Sequence, residues 1–178
     1  MLKERYESGL TMEAFVAGAQ ANADLWRSIY RRAMAPEEMV ARAAELPAPR
    51  HLLVLLEDWC GDAVNTIPAL ARLAEAAPQL DLRVLPRDQN PDLMDAHLTG
   101  TSRSIPVVIA LDEAYAELGW WGPRPSELQA WVASPEAQRL PKEDRYREVR
   151  RWYARDRGRT TLSEVLDLLE RTAVPRAA

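Results

Sequence analysis

The side chain best suited to chemistry in this sequence is its single cysteine, Cys60, within Trp59-Cys60-Gly61-Asp62-Ala63. A cysteine thiolate attacks disulfides, and the thiol pKa decides how much thiolate is present at neutral pH. At the start of a helix, free backbone N–H groups and the helix dipole stabilise the thiolate. Asp58 and Asp62 oppose this effect, because a nearby negative charge disfavours the thiolate. We therefore predict a modestly lowered pKa for Cys60.

The absence of a second cysteine limits the chemistry that Cys60 can complete. One thiol can form a mixed disulfide but cannot resolve it, so a second thiol must come from a substrate, a partner or a small molecule such as glutathione or bacillithiol. Two alternatives remain open: an inert buried cysteine, and an iron–sulfur cluster shared between subunits, for which the sequence offers no second ligand. Neither His51 nor His97 has a metal-site spacing to Cys60, so we predict no metal and no cofactor.

A buried strand and a helix are predicted to place the thiol at the turn between them. Residues 51–56 form a continuous apolar run typical of a strand buried on both faces. Helical spacing follows, and Pro68 predicts a kink within that helix. The order from residue 51 is β-α-β-α-β-β-α, an α/β fold. The predicted strands are residues 51–56, 80–85, 105–111 and 115–120, the last two as a hairpin, with helices at 63–77 and 90–98 between them.

Helical patterns flank the predicted sheet on both sides. Thr11 and Ser126 are predicted helix caps, and Thr161 to Glu164 has the pattern of a capping box. The apolar stripe over residues 25–34 is expected to pack on the domain rather than on a second chain. Further helices are predicted at residues 12–17, 37–46, 128–132, 145–157 and 161–172.

Composition restricts the class of partner. Hydrophobic residues make up 47% of the chain and charged residues 28%, which suits a folded domain with additions. The net charge of −4 favours neither nucleic acid nor an anionic membrane as a partner. The N-terminal residues lack the apolar region of a signal peptide, and no apolar run approaches the roughly 20 residues that span a bilayer. We expect a soluble cytoplasmic protein, in a compartment where thiols stay reduced.

Three features together resemble the thioredoxin superfamily over residues 48–133. Trp59-Cys60-Gly61 stands at a strand-to-helix turn, Pro68 follows eight residues after Cys60, and Ser104-Ile105-Pro106 precedes a strand. The closest likeness is a bacterial group of thioredoxin-like proteins with a helical N-terminal extension and Trp-Cys-Gly-Asp at the site. The resemblance implies a βαβαββα sandwich with additional N- and C-terminal helices. Residues 1–47 would be an extension packed on the core, 48–133 the core, and 134–178 C-terminal helices.

The same resemblance implies the roles of individual site residues. Cys60 would be the nucleophile and Pro106, in a cis peptide bond beside it, the second catalytic residue. Ala63 stands where the family has its resolving cysteine, and Val54 stands where it has a buried acid. The substrate-binding residues would be Trp59, Gly61, Asp62, Ser104 and Ile105.

Two further segments are open to more than one interpretation. The tryptophans and Arg124 in residues 120–124 suit core packing at a strand end, or alternatively an aromatic and cationic wall beside the thiol. The arginine-rich residues 145–157 are predicted to form a solvated helix face.

The function predicted from the sequence is monothiol thiol–disulfide exchange, with a protein disulfide or a low-molecular-weight-thiol disulfide as the substrate. The alternative is a non-catalytic thioredoxin-like module that binds peptides or proteins, or regulates them.

Overall fold

The computed structural model describes residues 1–173, which combine a four-stranded mixed sheet with helices before, between and after the strands. Residues 174–178, the end of the predicted C-terminal helical region, lie outside the described residues. The strands are β1 (Arg50–Leu56), β2 (Leu80–Pro86), β3 (Val107–Leu111) and β4 (Glu117–Trp121). The helices are α1 (Leu2–Ser8), α2 (Met12–Gly18), α3 (Ala23–Arg32), α4 (Glu37–Ala44), α5 (Gly61–Ala76), α6 (Pro91–Ala96), α7 (Ser126–Ala133), α8 (Pro135–Arg139), α9 (Lys142–Asp156) and α10 (Arg159–Ala173).

The sheet has the order β2-β1-β3-β4, which leaves β1 in its interior. Strand β1 runs parallel to β2 and antiparallel to β3, and β3 and β4 form an antiparallel hairpin. Residues 52–56 of β1 are fully buried, as expected for a continuous apolar run between two neighbouring strands. The predicted α/β architecture, a thioredoxin-like sheet with additional helices at both ends, is confirmed.

Helix α5 begins directly after the cysteine and packs against β2. Its apolar positions recur at helical spacing and are buried, including Val64, Ile67 and Leu70. Helices α3, α4 and α10 contact α5, while α1 and α2 contact β2. The stripe predicted over residues 25–34 is divided, because Trp26 is fully buried whereas Leu25 and Met34 are exposed. Within residues 1–173, no helix combines the length and apolar character that crossing a membrane requires.

Two predicted helix caps are wrong, for a shared reason. Ser126 is the first residue of α7 rather than its cap, and its hydroxyl donates a hydrogen bond to Glu164. Helix α10 begins at Arg159, so Thr161 lies inside it and Glu164 does not complete a capping box. The Glu164 carboxylate instead accepts hydrogen bonds from Trp121 Nε1 at 2.7 Å and from the backbone N–H of Ser126 at 2.9 Å. A tertiary contact that joins α10 to β4 and α7 has replaced the local one.

The predicted fourth strand also begins late. Tyr115 has a left-handed backbone, with φ 63°, and belongs to the turn that precedes β4. The Asp112 carboxylate holds that turn by accepting hydrogen bonds from the N–H groups of Ala114 and Ala116, each at 2.8 Å. The strand therefore starts at Glu117, once this turn is complete.

Candidate functional site

Cys60 lies where β1 ends and α5 begins, and it is the N-cap residue of α5. Its sulfur accepts a hydrogen bond from the backbone N–H of Ala63 at 3.5 Å. The thiol also donates to the carbonyl oxygen of Ile105 at 3.4 Å. Cys60 is only 6% exposed, whereas its neighbour Trp59 is 50% exposed. The sulfur is therefore held by two backbone groups from different elements and lies beneath the surface.

Burial raises the pKa of the Cys60 thiol above its ordinary value, and the negative charge of Asp62 adds to this increase. The Ala63 N–H bond and the Arg124 guanidinium act in the opposite direction but do not outweigh burial. The prediction of a lowered pKa is therefore wrong. The N–H group at the helix start does lower the pKa, as predicted, but removal of water from the sulfur raises it more. That burial depends on the packing of the whole chain.

The two acids near Cys60 have different partners. The Asp58 carboxylate accepts hydrogen bonds from the backbone N–H groups of Gln20 at 2.8 Å and Ala21 at 2.9 Å. Asp58 thus links the loop between α2 and α3 to the turn between β1 and α5. Asp62 forms an ion pair with Arg124 at 2.5 Å and accepts a hydrogen bond from the Tyr153 hydroxyl at 2.8 Å. Only Asp62 belongs to the charged network beside the thiol.

Burial and the adjacent Asp62 raise the pKa of Tyr153, so this phenol stays protonated and keeps donating at neutral pH. Arg124 also donates to Gln129 at 3.0 Å, which places its guanidinium between α5 and α7. The network of Asp62, Arg124 and Tyr153 therefore joins the start of α5 to the segment after β4 and to α9.

A cavity of about 470 Å³ opens above the Cys60 sulfur. Its lining includes six of the seven predicted site residues, namely Trp59, Cys60, Gly61, Asp62, Ser104 and Ile105. Pro106 is the exception, because it is buried and does not line the cavity. A Cβ atom at Gly61 would meet no atom within 4 Å, so this position is open to the approach of a ligand.

Pro106 instead packs closely against Gly122. A Cβ atom at Gly122 would lie 2.1 Å from the Pro106 carbonyl oxygen, and its φ of +138° is one that side chains rarely adopt. Both the Ile105–Pro106 and the Gly122–Pro123 peptide bonds are cis. Glycine at position 122 thus lets the segment after β4 approach the segment that carries Ile105.

A family model described as thioredoxin matches residues 9–141, well over half of the chain. The chain belongs to the thioredoxin family. Two solved structures share its fold with a TM-score of 0.72: a protein of unknown function, PA1234, from Pseudomonas aeruginosa, and an HIV 4E10 epitope scaffold. Each is 22% identical, and the alignment covers 94% of this chain and 96% of the other. No curated protein matches the chain.

This thioredoxin-family chain has hydrophobic side chains at two positions that bear on thiol chemistry. Ala63, three residues after Cys60, is fully buried and contributes only its backbone N–H to the sulfur. Val54 is also fully buried, in the middle of β1. Neither side chain can carry a proton or a second thiol. The site therefore has one thiol and no second thiol beside it.

Several lining residues escaped the sequence analysis. Helix α9 contributes Tyr146, Val149, Arg150 and Tyr153, so the arginine-rich stretch is not simply a solvated face. Val149, Arg150 and Tyr153 follow Tyr146 by three, four and seven residues, which places all four on one face of the helix. This spacing is the signal in the sequence from which they could have been predicted. Asn22 and Leu25 from the start of α3, Arg87 from a short 3-10 helix after β2, and Arg103 from a loop had no comparable pattern. Of the aromatic and cationic wall offered as an alternative for residues 120–124, only the cationic part is present: Arg124 lines the cavity, whereas Trp120 and Trp121 do not.

The two histidines belong to other parts of the family fold. His97 is buried, with Nδ1 2.7 Å from the Leu93 carbonyl oxygen and Nε2 3.2 Å from Glu117. His51 stacks on Tyr115 with ring centroids 4.3 Å apart. Within residues 1–173, no group of three or more histidine, cysteine or acidic residues is arranged to hold a metal ion.

Proposed function

We propose that this chain is a monothiol thiol–disulfide exchange protein with Cys60 as its nucleophile. The observation that supports this most directly is the position of the Cys60 sulfur. Cys60 is the N-cap of α5 and lines a cavity of about 470 Å³, a volume that admits a small disulfide. The Ile105 carbonyl oxygen, 3.4 Å away, accepts the hydrogen bond of the thiol and so fixes its orientation.

The proposed reaction has two exchange steps. The Cys60 thiolate attacks one sulfur of a substrate disulfide, so that a Cys60–substrate disulfide forms and the other half leaves as a thiolate. An external thiol, as its thiolate, then attacks the substrate sulfur of this adduct. Cys60 leaves as a thiolate, and the external thiol departs joined to the substrate sulfur. The substrate disulfide is the oxidant and the external thiol is the reductant, so the electrons balance without any cofactor.

The raised pKa of Cys60 sets the pH dependence of this reaction. At neutral pH most molecules have Cys60 in its protonated, thiol form. Attack on a disulfide is therefore slower than it would be if every Cys60 were a thiolate. The minor thiolate is nonetheless a strong nucleophile, because nucleophilicity rises with thiol pKa. Exchange is therefore expected to accelerate as the pH rises past the ordinary cysteine range, about 8.5.

A second candidate function is a non-catalytic module that binds peptides or proteins. The observation that favours it is the contrast between a buried, hydrogen-bonded thiol and the half-exposed Trp59 beside it. The Arg87 guanidinium lies 5.0 Å from the centre of the Trp59 ring, so the surface combines an aromatic face with a cation. Such a surface can recognise a partner without any covalent step.

The proposal also covers the group of proteins, the cellular compartment and the partners of the exchange reaction. We place the chain in the bacterial group with a helical N-terminal extension and Trp-Cys-Gly-Asp at the site, and in a reducing cytoplasmic compartment. The absence of a second cysteine for a structural disulfide supports this compartment. The partners would be a protein disulfide or a low-molecular-weight thiol, with no nucleic acid and no membrane.

Intact-protein mass spectrometry after incubation with a small disulfide tests the exchange function. We expect one adduct per chain, formed faster as the pH rises, lost on addition of an external thiol and missing from Cys60→Ser. If the folded protein forms no adduct while the urea-unfolded protein does, Cys60 is inert in the fold and the binding module is the better account.

A further inference from the structure

Four guanidinium groups surround the cavity above Cys60. Arg87, Arg103, Arg124 and Arg150 all line it, and among the described lining residues Asp62 is the one carboxylate. The chain as a whole carries a net charge of −4, so this concentration of positive charge is local. Clefts lined by one sign of charge concentrate ligands of the opposite sign.

Three of these arginines already have a carboxylate partner. Arg87 pairs with Asp88 at 2.7 Å and Arg103 pairs with Asp95 at 2.6 Å, while Arg124 pairs with Asp62. These contacts neutralise part of the charge. They do not exhaust the donors, because a guanidinium has five N–H groups.

Arg103 and Arg150 have the most capacity left for a ligand. Arg103 binds Asp95 through Nε and Nη2, which leaves its Nη1 without a hydrogen-bond partner among the described residues, on a side chain that is 56% exposed. Within residues 1–173, Arg150 forms no ion pair or side-chain hydrogen bond, although its neighbours Arg147 and Arg151 pair with acids on the same helix. An unpaired arginine at the mouth of a cavity and an unused donor in its wall favour an anionic occupant.

The cavity walls limit the size of that occupant. Leu25 from α3 and Tyr146 from α9 stand on the rim with Trp59, and all three are partly exposed apolar side chains. The volume of about 470 Å³ falls within the roughly 300–1,000 Å³ typical of small-molecule sites. The space suits a small molecule with a carbon skeleton for the rim and an anionic group for the arginines.

We propose that the cavity selects the disulfide of a carboxylate-bearing low-molecular-weight thiol. Arg150 and Arg103 bind the carboxylate, the apolar rim contacts the carbon skeleton, and the disulfide meets Cys60. This inference rests on the proposed exchange function and names its substrate class. Cys60 attacks the sulfur attached to the bound half, that half remains on Cys60 as a mixed disulfide, and the other half leaves as a thiolate.

Two aromatic disulfides that release a coloured product on reaction with a thiol test this selection. One is 5,5′-dithiobis(2-nitrobenzoate), which carries a carboxylate on each half, and the other is neutral 4,4′-dithiodipyridine. Stopped-flow absorbance gives the rate constant of Cys60 for each probe, and we take the ratio of the carboxylated to the neutral probe. Dividing this ratio by the one measured with a small free thiol corrects for the intrinsic reactivity of the probes and gives the corrected ratio. We expect the corrected ratio to favour the carboxylated probe by about tenfold at low salt and to fall as salt is added.

Variants on helix α9 locate the effect. Arg150→Gln should lower the corrected ratio roughly threefold, because the rate constant for the carboxylated probe falls. A loss of this size is expected when one partly exposed charge contact is removed. Arg147→Gln is the matched control, since Arg147 is on the same helix but does not line the cavity, and its ratio should equal that of the wild type.

The outcomes separate this inference from the proposed function. A corrected ratio near one, unaffected by Arg150→Gln, overturns the anionic-substrate inference but leaves exchange standing. A folded protein that reacts with neither probe overturns both.

Discussion

At the residue scale, the main consequence of the structure concerns the protonation of Cys60. Its sulfur gains the N–H of Ala63 at the helix start, but it also loses most of its contact with water. Burial outweighs the helix N-terminus, and the pKa rises. The thiol is thus held in its neutral form, donating to the Ile105 carbonyl, until a substrate or a higher pH favours the thiolate.

Asp62→Asn tests which neighbour opposes the thiolate. The negative charge of Asp62 raises the pKa of Cys60, so its removal should lower that pKa and leave the Arg124 charge unopposed. We expect iodoacetamide to alkylate the variant roughly threefold faster than the wild type at pH 7.5, with the pH profile displaced to lower pH. Alkylation rates measured from neutral to alkaline pH give the comparison.

Asp58→Asn is the control for this experiment. Asp58 is equally close to Cys60 in sequence, but its carboxylate binds the N–H groups of Gln20 and Ala21. The variant should lose stability, by about 1–3 kcal/mol from weakened charged hydrogen bonds, and keep the wild-type alkylation profile. A profile that moves with Asp58 and not with Asp62 would contradict the assignment of the charge effect.

The sequence was sufficient to predict the location of the residues at this scale but not their energetics. The cysteine at a strand-to-helix turn and the segment ending in Ile105 could be predicted, because turn position and proline are local signals. The sign of the pKa change could not, since burial of the sulfur depends on elements distant in sequence.

At the scale of elements, the site depends on close approach between the loops before β3 and after β4. Gly122 allows this approach, because the Pro106 carbonyl occupies the space that a side chain would need. The Asp62–Arg124 ion pair then ties the same loop to the start of α5. The position of Arg124 at the cavity is therefore a consequence of the glycine two residues before it.

Gly122→Ala should destabilise the fold strongly. Its Cβ atom would lie 2.1 Å from the Pro106 oxygen, and its φ of +138° is unfavourable for alanine. We expect a loss of about 3 kcal/mol or more in the free energy of unfolding, measured by urea denaturation. Gly61→Ala is the matched control, since its Cβ atom meets no atom within 4 Å, and it should stay within about 1 kcal/mol of the wild type. Equal stability of the two variants would refute this account of Gly122.

The elements differed in how far the sequence could predict them. Strand β1 and helix α5 follow from apolar runs and helical spacing, because both are buried and the pattern records that burial. Helix α9 carries many arginines and buries only Val149 and Tyr153, so its composition indicates a solvated helix. Its role in walling the cavity depends on where α7 and α8 direct the chain, which no local pattern reveals.

At the scale of the whole molecule, the additional helices are not equally integrated into the core. Residues of α2, α3 and α10 belong to the same buried cluster as the sheet, and Trp26 is fully buried within it. Leu128, Val149 and Tyr153 form a separate small cluster between α7 and α9. One wall of the cavity thus rests on a smaller apolar contact than the rest of the fold.

Helix α9 should therefore open more readily than α10, which has the same length of 15 residues. We expect its backbone amides to exchange with deuterium at least roughly tenfold faster than those of α10, because fewer buried apolar side chains hold it. Hydrogen–deuterium exchange followed by mass spectrometry of peptides compares the two helices directly. Equal protection would mean that the cavity wall is as firmly held as the core.

The most direct test of the central claim is multiple turnover by Cys60. The wild-type protein, a substrate disulfide and an excess of a small thiol are mixed, and release of product is followed over time with Cys60→Ser in parallel. Our account predicts many products per chain, a rate that increases with pH above about 8.5 and no rate above background for the variant. A wild-type rate equal to that of Cys60→Ser at every pH would contradict it.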